Sequence, residues 1–236
     1  MHNSCSVELN NTYLAKLNDS PWQVYESSYW GPIFKNSPIK KVKKGSIIYS
    51  QDEIQPYVYY IEKGRAFNSV INEDGKERTH MIYMEGTIFG INTVVKDNKA
   101  LLTTYANENS TLRYMLKNDF LNKVIHNPEL SLQFIYTLSN IVQILTNTIT
   151  SNNFKTVEQR VVTYIMNLVS FFGKETHLGK KITIQFTHQQ MADLIACSRV
   201  TVSKIMSNLD KEGIIIKKAG YHYVKDLVQL SKYLDE

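Results

Sequence analysis

Residues 187–209 constrain the fold more than any other part of this chain, because they encode two short helices joined by a corner that only small residues permit. Thr187 opens a capping box with Gln190: the hydroxyl accepts from the third backbone N–H of the helix, and the Gln side chain returns to the cap. Met191, Leu194 and Ile195 supply an inner face, Ala192 lets the second helix come close, and Ala196-Cys197 make the corner. Ser198 caps the second helix, whose Val202, Ile205, Met206 and Leu209 recur at helical spacing and point inward. Arg199, Val200, Thr201, Ser203, Lys204 and Asn208 are left for the outer face and the helix start.

Such a face suits the major groove of double-stranded DNA. An Arg at the start of a recognition helix pairs bidentately with guanine, for about 1–3 kcal/mol of discrimination. Val200 offers an apolar contact to a thymine methyl, Thr201 and Ser203 donate to phosphates, and Lys204 reaches a phosphate or a base. Gln189 and Ser198, at the two helix starts, complete the expected contact set. After Gly213, residues 214–218 and 221–225 flank Ala219-Gly220 as a β-hairpin, and its Lys217 and Lys218 would follow the flanking backbone as a wing. Charge agrees with this placement. Of the net +5, most sits in residues 151–236, where 12 Lys and Arg face 8 Asp and Glu.

The N-terminal half has a different character. Residues 46–49, 57–62, 66–71 and 79–83 are rich in β-branched and aromatic side chains, and turn signals such as Lys44-Gly45, Lys63-Gly64, Glu73-Asp74-Gly75 and Glu85-Gly86 separate them. Nothing helical fits between Gly45 and Gly90. Asn127-Pro128-Glu129 then starts a long helix running to about Asn152. Ser131, Phe134, Leu138, Ile141, Leu145 and Thr148 alternate at spacings of three and four along it, a seam for a second copy, while Ile135, Val142 and Ile149 form another stripe. Ser151-Asn152-Asn153 reads as a hinge. Thr156-Val157-Glu158-Gln159 is a further capping box, opening a helix to Phe172 that Gly173 stops, and residues 181–186 alternate as a strand.

The expected fold is therefore α+β: an antiparallel, jelly-roll-like β-barrel over residues 1–126, a dimerisation helix over 127–152, and a winged helix-turn-helix over 153–236. No apolar run approaches the roughly 18 residues of a membrane span, and the first twenty residues lack the features of a secretory signal. Cys5 and Cys197 cannot make a disulfide framework. A cytoplasmic protein with no membrane partner is expected.

This order of parts resembles the Crp/Fnr family of bacterial transcription regulators across residues 39–226. The most specific stretch runs from Phe186-Thr187-His188-Gln189-Gln190 to Ser198-Arg199-Val200-Thr201-Val202-Ser203-Lys204. Tyr59-Tyr60-Ile61-Glu62-Lys63-Gly64, Glu73-Asp74-Gly75-Lys76-Glu77 and Gly86-Thr87-Ile88-Phe89-Gly90 fit the barrel of the same family. The resemblance implies a homodimer on an inverted-repeat promoter site, acting on RNA polymerase as an activator, with a small-molecule effector held between barrel and long helix. Three positions depart from the family. Val200 stands where many members carry a Glu that reads cytosine, which points to A/T-rich half-sites; Lys204 replaces an Arg fork by a point charge; Ala196 replaces the corner glycine.

The effector is less legible. Gly90-Ile91-Asn92 and Leu101-Leu102-Thr103-Thr104 match the stretches that hold ribose and phosphate in cyclic-nucleotide-binding members, yet no Arg lies between Arg78 and Arg113. A cyclic phosphate would be buried unpaired, so cyclic AMP is not expected. Two cysteines cannot hold a four-cysteine iron–sulfur cluster, a haem would fall to His80 or His126, and no cofactor is expected. Leu138 and Ile141 on the inner helix face are apolar, which leaves Tyr83, Asn92, Lys96, Tyr105 and Tyr136 as polar effector contacts. Two alternatives stand beside the regulator: a cupin-like barrel metalloenzyme and an effector-independent DNA-binding protein. The first needs clustered histidines, and the six here are scattered without a catalytic motif, so the chain reads as a non-enzyme.

Overall fold

The computed structural model describes residues 22–23, 29–75, 77–93 and 99–235. They form two compact units, which divide between Gln143 and Ile144.

In the N-terminal unit, two sheets carry nine strands: β1 (Trp22–Gln23), β2 (Ile39–Val42), β3 (Ile47–Tyr49), β4 (Tyr57–Lys63), β5 (Ala66–Ile71), β6 (Glu77–Tyr83), β7 (Ile88–Phe89), β8 (Thr103–Ala106) and β9 (Ser110–Leu116). One sheet has the order β1-β6-β5-β8-β3 and the other β2-β9-β4-β7. All pairs are antiparallel except the short β1–β6 pair. The alternation of β4 explains both layers of the core. Val58 and Tyr60 face a helical layer, whereas Tyr59 turns the other way to stack on Phe89 at 5.1 Å, and Phe89 in turn stacks on Tyr83 at 5.1 Å.

Two helices in that layer were not read from the sequence. The helices are α1 (Trp30–Phe34) and α2 (Lys117–Ile125); neither has a side-chain cap, and that is the signal a sequence reading depends on. They are held by packing instead. Trp30, Phe34, Phe120 and Val124 meet Val58, Tyr60, Ile88 and Met115 in one cluster, which Leu130 and Phe134 of the long helix complete.

The long helix, α3 (Pro128–Phe154), starts where Asn127-Pro128-Glu129 indicates, with the Asn127 side-chain oxygen accepting from Glu129 N at 3.0 Å. It does not stop at the expected hinge. Ser151, Asn152 and Asn153 are helical, because none of them removes a backbone donor; the chain breaks at Lys155, before the Thr156 cap.

In the C-terminal unit, α4 (Val157–Phe172) is the core helix. Its capping box is formed in both directions, and residues 161–169 are buried without interruption. Around it lie β10 (Gly173–Thr176), β11 (Gly179–Ile182), α5 (His188–Leu194), α6 (Arg199–Lys211), β12 (Ile215–Lys218), β13 (Tyr221–Val224) and α7 (Leu227–Lys232), with sheet order β10-β11-β13-β12. The strand expected over 181–186 ends early. Thr183 leaves the ladder to give both its N–H and its hydroxyl to the Phe172 carbonyl, at 2.8 and 2.9 Å, which closes the end of α4.

Candidate nucleic-acid interface

The corner between α5 and α6 forms as its residues dictate. The Thr187 hydroxyl accepts from Gln190 N at 3.1 Å while Thr187 N donates to Gln190 Oε1 at 2.9 Å. Ala196 adopts φ of +55°, a left-handed conformation that glycine takes more cheaply, and Cys197 N then donates to the carbonyl of fully buried Ala192 at 3.1 Å. Ser198 accepts from Thr201 N at 3.0 Å and sets the start of α6. Val202, Ile205, Met206 and Leu209 are buried, so the outer face is fixed by packing rather than by any partner.

That face presents Arg199, Val200, Lys204 and Asn208 to solvent, and Val200 is 78% exposed. Thr201 and Ser203 are half-buried, and both hydroxyls are engaged within the protein: Thr201 Oγ1 with Ser198 Oγ and Ser203 Oγ with His188 Nδ1, each at 2.8 Å. Each remains able to accept or donate once more. Gln189 is exposed, its amide held along the helix by Asp193 Oδ1 at 2.8 Å. Lys217 and Lys218 are exposed on β12, beside a tight turn in which Ala219 and Gly220 have φ of +50° and +79°. In register, Lys217 lies opposite His222 and Lys218 opposite Tyr221.

His188, which sequence reasoning did not single out, joins these parts. Its imidazole is held below the ordinary range by burial first, then by the positive charges of Lys217 and Arg199. Helix α6 and the wing hairpin therefore each set a cation within electrostatic reach of His188. His222 lies behind them, stacked on Phe186 at 4.6 Å, and burial, Lys217 and His188 push it down to about 4. Capping and apolar spacing were visible in the sequence, but the approach of residues 188, 203 and 217 is a property of the folded unit.

The positions matched to a nucleotide site also come together. Gly90, Asn92, Leu101 and Leu102 line one cavity with Tyr49, Gln55, Asn68 and Ala100, but its volume is only about 20 Å³. That is room for about one water, against the hundreds of Å³ of a usual ligand pocket. Aromatic rings occupy the rest: Tyr49 stacks with Tyr59 and Phe89, and Tyr83 accepts from Asn68 Nδ2 at 2.8 Å. A side chain at Gly90 (φ +81°) would put its Cβ 2.6 Å from Gln55 Nε2 and 2.9 Å from the Tyr57 carbonyl oxygen, so the wall there is closed by both a side chain and backbone. The barrel arginines are committed elsewhere: Arg65 to Glu108 at 2.9 and 3.0 Å, Arg113 to Glu62 at 2.8 Å, and Arg78 to the Glu77 carbonyl at 3.1 Å.

Of the expected effector contacts, Asn92 lines this cavity and Tyr83 stands behind Asn68. Tyr105 does not face it. Thr104 takes the inward position of β8, and Tyr105 turns to meet Phe67 edge-on at 5.8 Å. Tyr136 is exposed on α3, and Lys96 lies outside the described residues. His80 is half-buried and His126 is bonded to the Asn122 carbonyl; among the described residues no three metal-ligating side chains gather.

The seam on α3 needs correction. Phe134 is 8% exposed and packs edge-on to Phe120 at 5.7 Å, with Ile141 against the same cluster, so both belong to this chain's own core. Thr148 is half-buried and bonds back to Ile144 O. Leu138 and Leu145 do lie outward, but together with Ile135, Val142 and Ile149. Those five also alternate at three and four residues; they keep Leu138 and Leu145 and replace Phe134, Ile141 and Thr148 by the residue that follows each. The two apolar faces were recognised; which of them turned inward depended on α1 and α2, the helices that were not.

Barrel, long helix and winged helix-turn-helix in this order define a transcription regulator with a sensor-type N-terminal domain. Family models agree: the cyclic nucleotide-binding domain matches residues 39–127 and the Crp-like helix-turn-helix domain matches residues 159–233. The chain belongs to the Crp/Fnr family of transcription regulators. It is 24% identical over 179 residues to the global nitrogen regulator of Synechococcus elongatus, covering 75% of this chain and 81% of that protein. With the electron transport regulator A of Shewanella oneidensis it shares 20% over 201 residues, 81% of this chain and 76% of that one. The structure of a CooA variant from Carboxydothermus hydrogenoformans superposes with a TM-score of 0.75 at 23% identity, covering 86% of this chain and 90% of that one. Among the described residues no helix is long and apolar enough to cross a membrane.

Proposed function

We propose that this regulator binds DNA sequence-specifically as a homodimer, on an inverted repeat with A/T-rich half-sites, and acts there on RNA polymerase. The observation that carries this reading is the outer face of α6, where Arg199, exposed Val200 and Lys204 stand unburied beside Lys217 of the wing. Arg199 serves as a bidentate reader of guanine, Val200 as a contact to thymine methyls, and Lys204 as a point charge for a phosphate or base. Thr201, Ser203, Gln189 and Ser198 position the helix, and Lys217 and Lys218 follow the backbone. Ile135, Leu138, Val142, Leu145 and Ile149 provide the dimer seam, since an exposed apolar stripe of two heptads is otherwise a solubility cost. The barrel is the sensing domain, α3 (Pro128–Phe154) the dimer helix, and the residues that follow it the DNA-binding domain.

The effector in this reading is small, uncharged and not cyclic AMP, a choice supported by the committed arginines and by the narrow cavity. The same narrowness favours a second reading, in which the regulator needs no effector. Selection of bound duplexes from a random pool tests the first proposal. It should return two symmetric half-sites whose centres lie about one helical turn apart; a single unrepeated motif would overturn the homodimer. Protein refolded from denaturant, and so stripped of small molecules, separates the two readings of the barrel. Undiminished DNA affinity supports the second.

A further inference from the structure

His188 sits where α5, α6 and the wing converge, and its Nδ1 lies 2.8 Å from Ser203 Oγ. We propose that His188 is a proton-coupled positioning residue of the DNA interface: it sets the direction in which Ser203 offers its hydroxyl hydrogen, and DNA binding brings one proton onto its ring. The inference rests on the reading of α6 as the recognition helix.

The chemistry follows from the donor count. A phosphate oxygen only accepts hydrogen bonds, so every group facing it must donate. A neutral imidazole whose Nδ1 accepts from Ser203 spends the one hydrogen of that hydroxyl inside the protein. When a proton from solvent adds to the ring nitrogen lone pair, both ring nitrogens carry hydrogen. Nδ1–H then donates to Ser203 Oγ, the hydroxyl rotates its hydrogen outward, and no other bond is made or broken. The protonated pair is the form that suits a phosphate.

The charges around the ring explain why this form waits for DNA. Arg199 from α6 and Lys217 from β12 both act on His188, and His222 of β13 is coupled to it as a second base. Asp193, the one acid of α5, is taken by Gln189 Nε2 at 2.8 Å. In the free protein partial burial first, then the charges of Lys217 and Arg199, disfavour the charged ring. Phosphates drawn in by the same two cations offset their repulsion and favour the imidazolium. His222, with its own titration near 4, stays neutral in this range. The sign follows: the complex holds a proton more tightly than the free protein, so DNA affinity rises as pH falls through the histidine range, by at most about tenfold per pH unit for each recognition helix.

The experiment uses the full chain and a 30-base-pair duplex of mixed sequence at low salt, followed by fluorescence anisotropy from pH 8 to pH 5.5. Wild type should tighten several-fold more than His188→Gln, in which the amide keeps a neutral hydrogen bond to Ser203 but takes no proton. His188→Arg, with a fixed charge, should bind at pH 8 nearly as wild type does at pH 5.5. Calorimetry in two buffers of different ionisation enthalpy should count about one more proton taken up per recognition helix in wild type than in His188→Gln. Superimposable pH profiles for wild type and His188→Gln would overturn the proposal while leaving DNA binding intact. No binding of the duplex by wild type at any pH would overturn both this proposal and the recognition helix itself.

Discussion

The barrel interior and the recognition face use polar and aromatic groups in opposite ways. Inside the barrel, Tyr49, Tyr59, Tyr83 and Phe89 stack on one another, the Asn68 amide N–H donates to Tyr83, and the arginines are fixed to Glu108, Glu62 and backbone. On α6 the apolar residues are hidden and the cations stand open, with one valine exposed among them. The rings and arginines of the barrel are committed within it, and Asn68 Oδ1 and Ser69 Oγ are among the few described buried polar atoms there left without a hydrogen bond. A region whose backbone is fully capped while its charges are not is built to meet something.

The contrast can be broken most forcefully in the barrel. Phe89→Ala, at a fully buried ring touched by three tyrosines, should cost about 3–5 kcal/mol of stability, read from urea unfolding. A loss under about 1 kcal/mol would mean that the ring stack is not the core. Next comes the proposed seam. Val142→Asp, at a residue 62% exposed in the single chain, should weaken self-association by about 2–3 kcal/mol, on the order of a hundredfold, in sedimentation equilibrium. Phe134→Asp should instead unfold the N-terminal unit, because that side chain is in the core.

A further test concerns pH, and it separates the two regions by sign. Burial pushes Tyr59 and Tyr83 up to about 12 from an ordinary 10.0, so the folded barrel holds protons that the unfolded chain releases. Barrel stability is present below pH 10 and is lost as pH rises from 10 toward 12. His222 is the reverse. Depressed to about 4 from 6.5, it contributes stability above pH 6.5 that is lost as pH falls toward 4. Tyrosine absorbance and the near-ultraviolet signal of each unit should therefore fail at opposite ends of the scale; failure of both units at the same end would contradict the burial described.

Much of this was legible in the sequence where local chemistry decides the structure. Thr156, Thr187 and Ser198 each bond their own helix start, so their spacing was enough to place α4, α5 and α6. The Ala219-Gly220 turn and the proline-led start of α3 were legible for the same reason. What was not legible depends on distant residues. α1 and α2 lack caps and owe their place to Tyr60, Met115 and Phe134, and the seam register shifted with them. Tyr105 was misplaced because a strand's inward parity is fixed only when its partners are known: Thr104 opposite Asn68 points in, so Tyr105 opposite Phe67 does not. The His188–Ser203 contact joins residues that neither periodicity nor capping relates.

Base selection by Arg199→Ala decides whether the open face of α6 reads DNA. Wild type and variant are each used to select duplexes from the same random pool. The variant should keep two half-sites but lose preference for guanine at one symmetric position, for about 1–3 kcal/mol of lost discrimination. An unchanged motif from the variant would contradict it, and the reader of the site would have to be sought elsewhere on the chain.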